Sequence, residues 1–302
     1  MNVTITARTT VATGVVALTL KSADDLPPWR PGAHVDVTLP NGLTRQYSLC
    51  GDPADQEWRI AVLLEPSSRG GSSWIHSEAL EGTTLTVSEP RNLFDLVAAE
   101  RYVFVAGGVG ITPILPMIAE AERSSIPWTL WYGGRSRSTM AFTDDLEALG
   151  DRVHLVPGDT GGRIPVAEVL GTPEAGTAVY CCGPAPMVEA VEDACRAWEP
   201  GALHVERFVA DTPRDGDAFE VHCAVSGVDV RVEEGVSVLD ALLEAGVEAD
   251  YSCTQGFCGT CETRVVEGVP DHRDDYLDHS APVDTMMICV SRSRCGRLVL
   301  DL

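Results

Sequence analysis

Four cysteines in the last third of the chain, Cys253, Cys258, Cys261 and Cys289, follow the spacing C-x4-C-x2-C-x27-C. Three thiolates on one short loop can wrap one side of an inorganic centre, and a fourth from a distant segment closes the other. This is the plant-type spacing for a 2Fe–2S cluster. Gly256 and Gly259 let the loop turn tightly enough to point backbone N–H groups at anionic sulfur. A zinc site on four cysteines is the competing reading. Zinc modules usually pair their ligands as C-x2-C twice, and only Cys258–Cys261 forms such a pair here. Cys295 competes with Cys289 for the fourth position. Cys289 follows the apolar run Met286-Met287-Ile288, as a residue held inside a fold does, whereas Cys295 sits among Arg292, Arg294 and Arg297.

A chain of 302 residues exceeds one ordinary core. Residues 1–97 read as short β-prone runs, Val3–Arg8, Val15–Leu20, His34–Leu39, Gln46–Leu49, Trp58–Leu64 and Leu85–Ser88, separated by Gly-Asp, Pro-Gly and Asn-Gly turn signals. Their spacing predicts a small antiparallel β-barrel with one helix, Ser73–Leu80. The rhythm then changes. Apolar strands at Tyr102–Ala106, Trp128–Trp131, Val153–Val156 and Ala178–Cys181 alternate with helical patterns at Pro113–Arg123, Ala141–Leu149, Pro165–Leu170 and Met187–Trp198. That series predicts an α/β domain with a parallel sheet, residues 98–208. Val209–Asp217 is polar and reads as a linker. Residues 218–302 then form a compact α+β unit with strands at Phe219–Val225, Val228–Val232, Thr263–Val266 and Leu298–Asp301 and a helix near Val236–Ala245.

Ten cysteines fit reduced thiols and a metal centre better than disulfides. A net charge of −23, more than half of it beyond residue 214, argues against nucleic acid and anionic membranes as partners. The uncharged stretch Tyr102–Ala119 is broken by Gly107, Gly108, Gly110, Pro113 and Pro116, so it reads as strand, turn and helix, not a membrane span. The expectation is a soluble cytoplasmic protein. Cys50, Cys181, Cys195 and Cys223 fall in or beside apolar runs and read as buried thiols. Asp271-His272-Arg273-Asp274 reads as a solvated loop.

Two stretches suit phosphate. Arg45-Gln-Tyr47-Ser48-Leu49 ends a barrel strand, and Ser68-Arg69-Gly70-Gly71-Ser72 opens a helix, where orphan N–H groups and the dipole favour an anion. Tyr47 offers a flat ring beside a planar cofactor. Gly107-Gly108-Val-Gly110-Ile-Thr112-Pro113 lies between an apolar strand and a helix, with Pro113 suited to the first helical turn. It is not the full dinucleotide fingerprint, and alone it marks only a possible nucleotide turn. A second turn, Cys182-Gly183-Pro184, ends the last strand, at the edge where open parallel sheets bind ligands.

In this order, with His204–Phe208 between, these pieces resemble the phthalate dioxygenase reductase family, which includes vanillate demethylase reductases. That family joins a ferredoxin–NADP reductase module to a C-terminal ferredoxin, and the likeness covers essentially the whole chain. The resemblance implies FMN held by Arg45, Arg69, Gly70, Gly71 and Ser72, with Tyr47 and Ser48 against the isoalloxazine. It implies a nicotinamide nucleotide on Gly108, Gly110, Thr112 and Gly183, with Cys182 near the nicotinamide and Phe208 covering the flavin. Ser48, Thr112 and Cys182 would shape hydride transfer. NADH is the family's usual donor, although Arg135 and Arg137 stand where a 2′-phosphate could be gripped. The expected function is the monomeric reductase of a two-component oxygenase, passing electrons from NADH through FMN and the 2Fe–2S cluster to a Rieske-type partner. The same path serving a haem monooxygenase is the alternative, and a non-redox zinc-binding interaction module is a third.

Overall fold

The computed structural model describes residues 1–66, 68, 70–208, 215–251, 254, 256, 259–274, 276–277 and 283–302. Two compact units form, Met1–Phe208 and Val209–Leu302.

The first unit begins with an antiparallel sheet of β1 (Asn2–Ala12), β2 (Val15–Lys21), β3 (Ala33–Thr38), β4 (Thr44–Ser48), β5 (Trp58–Leu63), β6 (Thr84–Val87) and β7 (Arg91–Asn92). Its order is β4-β3-β6-β1-β2-β5, with β7 beside β3. Leu49, just past β4, bridges to Ile60 of β5 and closes the sheet into a barrel. Alternation is the cause: Val3, Ile5, Leu18, Leu20, Val35, Val37, Ile60 and Val62 point inward and are buried. The helix α1 (Gly71–Glu78) packs Ile75 into the same core. Its amino end is thereby fixed close to β4.

The parallel sheet follows, formed by β8 (Arg101–Gly107), β9 (Trp128–Gly134), β10 (Val153–Pro157), β11 (Thr177–Cys182) and β12 (Leu203–Glu206), in the order β10-β9-β8-β11-β12. Four of these strands match the apolar runs; β12 is an additional edge strand. It is only half-covered, so it lacks the continuous apolar signature of a central strand. The uncharged stretch Tyr102–Ala119 forms the expected strand, turn and helix: β8, a 3-10 turn at Gly108–Ile111 and α2 (Ile114–Arg123). Ile114, Met117 and Ile118 of α2, with Leu146 of α3 (Thr143–Glu147), cover one face. Leu170 of α4 (Val166–Leu170), with Val188 and Val191 of α5 (Ala185–Ala194), covers the other. The barrel's exit segment is tied to this sheet by Tyr180, whose hydroxyl donates to Asp95 O (2.8 Å) and accepts from Val97 N–H (2.7 Å).

In the second unit, β13 (Phe219–Cys223), β14 (Asp229–Val232), α6 (Val238–Glu244), β15 (Glu262–Glu267), β17 (Thr285–Met287) and β19 (Arg297–Leu300) build a mixed sheet ordered β14-β13-β19-β15-β17, with α6 supplying Leu239 and Leu242 to its core. A two-stranded pair, β16 (Pro270–Asp271) with β18 (Arg292–Ser293), stands beside it. No helix among the described residues is long and apolar enough to cross a membrane.

Candidate functional site

The strand order reverses between β8 and β11, so the crevice beyond their carboxyl ends is the topological switch point where open α/β sheets take ligands. Both glycine turns lie there, and they meet backbone to backbone. A methyl placed on Gly110 would lie 2.3 Å from the Cys182 carbonyl oxygen, and one on Gly183 3.0 Å from Gly107 Cα. Gly108 faces open space in the left-handed region at φ +56°. Thr112 is buried, and its hydroxyl donates to Val109 O (2.9 Å), closing the turn on itself. The Gly108 carbonyl accepts from the Tyr132 hydroxyl (3.1 Å). Tyr132 carried no signal in the sequence: it lies just past the expected apolar strand Trp128–Trp131, within the longer β9 that forms.

Cys182 is fully buried, and its thiol sits 3.9 Å from a carboxylate oxygen of Glu206 on β12. Burial first, then the nearby Glu206, pushes the thiol pKa far up, so Cys182 is a neutral –SH. Burial of its carboxyl end likewise pushes Glu206 from an ordinary value of 4.5 up to about 8. The pair therefore places a neutral acid behind the switch-point turn. Glu206 lies inside the His204–Phe208 segment noted in the sequence, but nothing there marked it, because β12 meets β11 only through sheet register. Folded protein then holds a proton on Glu206 between about pH 5 and 8 that unfolded chain has lost. Stability should fall as pH rises across that window, by up to about 1.4 kcal/mol per pH unit. Glu206→Gln should flatten this slope in denaturant midpoints taken at several pH values; an unchanged slope would assign the effect elsewhere.

The flavin-type segment is brought together by the barrel. Arg45 lies across the amino end of α1, so that a methyl on Gly71 would fall 3.0 Å from its Cγ and 3.1 Å from its Nε. Two motifs separated by more than twenty residues thus form one cradle of guanidinium and helix N–H groups. Gly70 N-caps the helix at φ 93°, and Asn41 Nδ2 donates to its carbonyl (3.3 Å). The Ser68 hydroxyl accepts from Ser72 Oγ (3.0 Å) and from the Ser73 N–H (3.2 Å). Arg69 lies outside the described residues. Gln46 and Ser48 share one face of β4. Gln46 Nε2 and Ser48 Oγ are both buried with no hydrogen-bond partner among the described residues. Buried polar atoms are almost always paired, so this face is built for a group that supplies partners. Tyr47 packs on the barrel core, and burial raises its hydroxyl pKa. Phe208 packs against the apolar core that lines the parallel sheet. Arg135 is exposed just past β9.

In the second unit, Cys253 and Cys258 lie outside the described residues. Cys261 and Cys289 are both buried in the core. The antiparallel register of β15 and β17 pairs Glu262 with Met287, and the Ile288 N–H reaches the Cys261 carbonyl at 3.4 Å. Cys289 follows directly in the chain. The cysteine loop lies against the same segment: Gly256, at φ +84°, leaves no room for a methyl, which would fall 2.6 Å from Val290. Cys295 is exposed on a turn, where its sulfur accepts from the Val269 N–H (3.3 Å). Two thiols buried in one core, with the glycine corner at Gly256 against Val290, fit a thiolate-bound cluster.

The segment Asp271–Asp274, expected as a solvated loop, is instead internally paired. Asp274 is buried and accepts from the Ser291 hydroxyl (3.2 Å) and the Leu277 N–H (2.8 Å). Arg273 donates to Asp271 (2.8 Å) and to the Asp215 carbonyl (2.7 Å). The segment runs against the stretch after Cys289, which takes its charges out of water and obliges them to pair. Cys50, Cys181, Cys195 and Cys223 are buried, and burial raises each of their pKa values, as inert thiols require.

Residues 104–193 match the oxidoreductase NAD-binding domain family, and residues 221–294 match the 2Fe-2S iron-sulfur cluster binding domain family. The chain is 46% identical over 285 residues to a phenoxybenzoate dioxygenase subunit beta of Ectopseudomonas oleovorans, covering 92% of this chain and 89% of that one. It is similar to the solved structure of phthalate dioxygenase reductase, described as a modular structure for electron transfer from pyridine nucleotides to [2Fe-2S]. That match has a TM-score of 0.81 at 33% identity and covers 100% of this chain and 98% of that one. An intact type IV self-sufficient cytochrome P450 monooxygenase matches with a TM-score of 0.81 at 40% identity, covering 100% of this chain and 41% of that one.

Proposed function

This chain belongs to the phthalate dioxygenase reductase family, and from that premise we propose how its residues divide the work. It is an NADH-dependent flavin and iron–sulfur oxidoreductase, the reductase component of an oxygenase system, with a terminal oxygenase as partner. Bound here, FMN supplies the conversion of a hydride's electron pair into single electrons, and the 2Fe–2S cluster supplies a one-electron exit.

In the proposed division of labour, residues 1–97 bind flavin, 98–208 bind the nicotinamide nucleotide, 209–217 link, and 218–302 carry the cluster. Arg45, Arg69, Gly70, Gly71 and Ser72 hold the FMN phosphate. Tyr47, Ser48 and Phe208 border the flavin ring. Gly108, Gly110, Thr112, Arg135 and Gly183 shape the nucleotide crevice, and Cys182 backs the nicotinamide. Cys253, Cys258, Cys261 and Cys289 ligate the cluster. No side chain needs to act as acid or base on the hydride, so the protein contributes by orienting the rings and excluding water. Cys182 and Glu206, both held neutral by burial, keep uncompensated charge away from that crevice.

The observation that carries this reading is the closed contact of the Gly110 turn on the Cys182–Gly183 turn at the switch point. Anaerobic titration with NADH, following flavin and iron–sulfur absorption separately, tests it. Both should bleach in turn; a colourless protein containing zinc, or flavin reduction that never reaches the cluster band, would sink it. Ser48→Ala should slow flavin reduction by NADH roughly tenfold, the worth of one hydrogen bond, while leaving stability equal or slightly higher because the hydroxyl has no partner among the described residues. Stopped-flow and denaturation together read both effects, and an unchanged rate would remove Ser48 from the site.

A Rieske-type oxygenase is the proposed partner, with the chain acting as a monomer in the cytoplasm, where thiols stay reduced. The likeness to the self-sufficient P450 supports a haem acceptor as the second reading. Reconstitution with each acceptor separates the two.

A further inference from the structure

The carboxyl end of the second strand of such a sheet is where the adenosine ribose is read. A carboxylate there suits the free 2′-hydroxyl of NADH, and an arginine suits the 2′-phosphate of NADPH. Arg135 and Arg137 follow β9 at that position. Arg137, however, is already engaged. Its Nη1 donates to Glu147 Oε1 at 2.5 Å and its Nη2 to Glu147 Oε2 at 2.7 Å, a two-point fork of the kind a phosphate would otherwise accept. Asp144 adds a third oxygen at 3.4 Å.

The backbone carrying Arg137 is fixed. Ser136 N–H donates to Thr139 Oγ1 (3.2 Å), and the Thr139 hydroxyl donates back to Ser136 O (2.9 Å). The loop after β10 is stitched alongside, with Gly158 and Asp159 N–H groups donating to the Gly134 and Arg135 carbonyls (2.8 and 3.0 Å). Glu147 ends α3, whose first turn also carries Asp144 and Asp145. A 2′-phosphate would have to displace one carboxylate from Arg137 and stand among others.

We propose that Glu147, backed by Asp144, is a specificity residue: it occupies the Arg137 guanidinium and keeps the 2′-phosphate of NADPH out, leaving the crevice suited to NADH. The inference rests on the reductase reading above and names the group on α3 that enforces the choice of donor. Both partners are about half exposed, 48% for Arg137 and 49% for Glu147, so occupancy alone is weak. Discrimination therefore acts through Arg137: a 2′-phosphate must win its two-point fork from Glu147 with Asp144 still on the same guanidinium, and gains a site only once that fork is released.

The test compares Glu147→Ala, Arg137→Ala and the double variant with the parent holoenzyme. Binding of 2′,5′-ADP and 5′-AMP is measured by calorimetry, and flavin reduction by NADPH and NADH by stopped flow. Glu147→Ala should tighten 2′,5′-ADP roughly five- to tenfold, with little change for 5′-AMP, and should raise kcat/KM for NADPH in step. Adding Arg137→Ala should erase the gain. An unchanged ratio in Glu147→Ala, or a gain that survives loss of Arg137, overturns the proposal. If the binding data behave as expected but neither nucleotide reduces the parent's flavin, Glu147 stands and the reductase reading falls.

Discussion

A Cys289→Ser variant is expected to lose the 2Fe–2S absorption entirely, while Cys295→Ser keeps it. Serine at the fourth position replaces a soft thiolate by a hydroxyl that stays protonated, and iron–sulfur centres are held by thiolates. Register decides which cysteine matters. Glu262 pairs with Met287 across β15 and β17, so the segment entering Cys289 lies against the carbonyl of Cys261. Cys289 is buried there, next to Val290, which the cysteine loop touches at Gly256. Cys295 instead is exposed, and its sulfur is spent on backbone groups of Val269 and Arg297. Because Met1–Phe208 forms its own compact unit, flavin reduction by NADH should survive in Cys289→Ser. Electron delivery to the terminal oxygenase should be lost with the cluster, which is the one-electron exit. Iron and sulfide analysis with acceptor assays would check both; retention of the cluster in Cys289→Ser with its loss in Cys295→Ser would reverse the assignment.

Gly110→Ala is expected to cripple hydride transfer. Its added methyl would meet the Cys182 carbonyl oxygen at 2.3 Å and the carbonyl carbon at 2.6 Å, both backbone atoms of a buried strand end with no rotamer to escape into. Overpacking of this kind costs about 1–3 kcal/mol, and turns pushed apart by about 1 Å can lose around a hundredfold in rate. Gly150→Ala is the control. Its methyl would meet nothing, and its penalty is limited to about 1–2 kcal/mol for the left-handed backbone at φ +81°. Gly110→Ala should therefore lose far more kcat/KM for NADH than Gly150→Ala, even where their melting temperatures fall alike. Equal kinetics in the two variants would mean that the meeting of the turns does not serve catalysis.

Much of this architecture is legible one segment at a time. The glycine turn before Pro113 and the alternation of Val3, Ile5, Leu18 and Leu20 are local patterns, and local backbone geometry turns each into a turn or a strand; the C-x4-C-x2-C spacing is local in the same way. Buried central strands such as Thr177–Cys182 announce themselves because both faces are covered. The half-covered edge strand β12 does not, and neither does the pairing of Asp271–Asp274, which exists only because another segment lies on it.

The first feature noted, the set of four cysteines, divides along the same line. By itself the sequence pointed to three cysteines on one short stretch and to thiolate chemistry, because their spacing is covalent. That the segment entering Cys289 lies against Cys261, that Cys182 faces Glu206 and that Arg137 is held by Glu147 were decided only by tertiary structure. Each of these is a contact between residues brought together by sheet register or helix placement. A shift of one residue in register would turn the side chain to the other face.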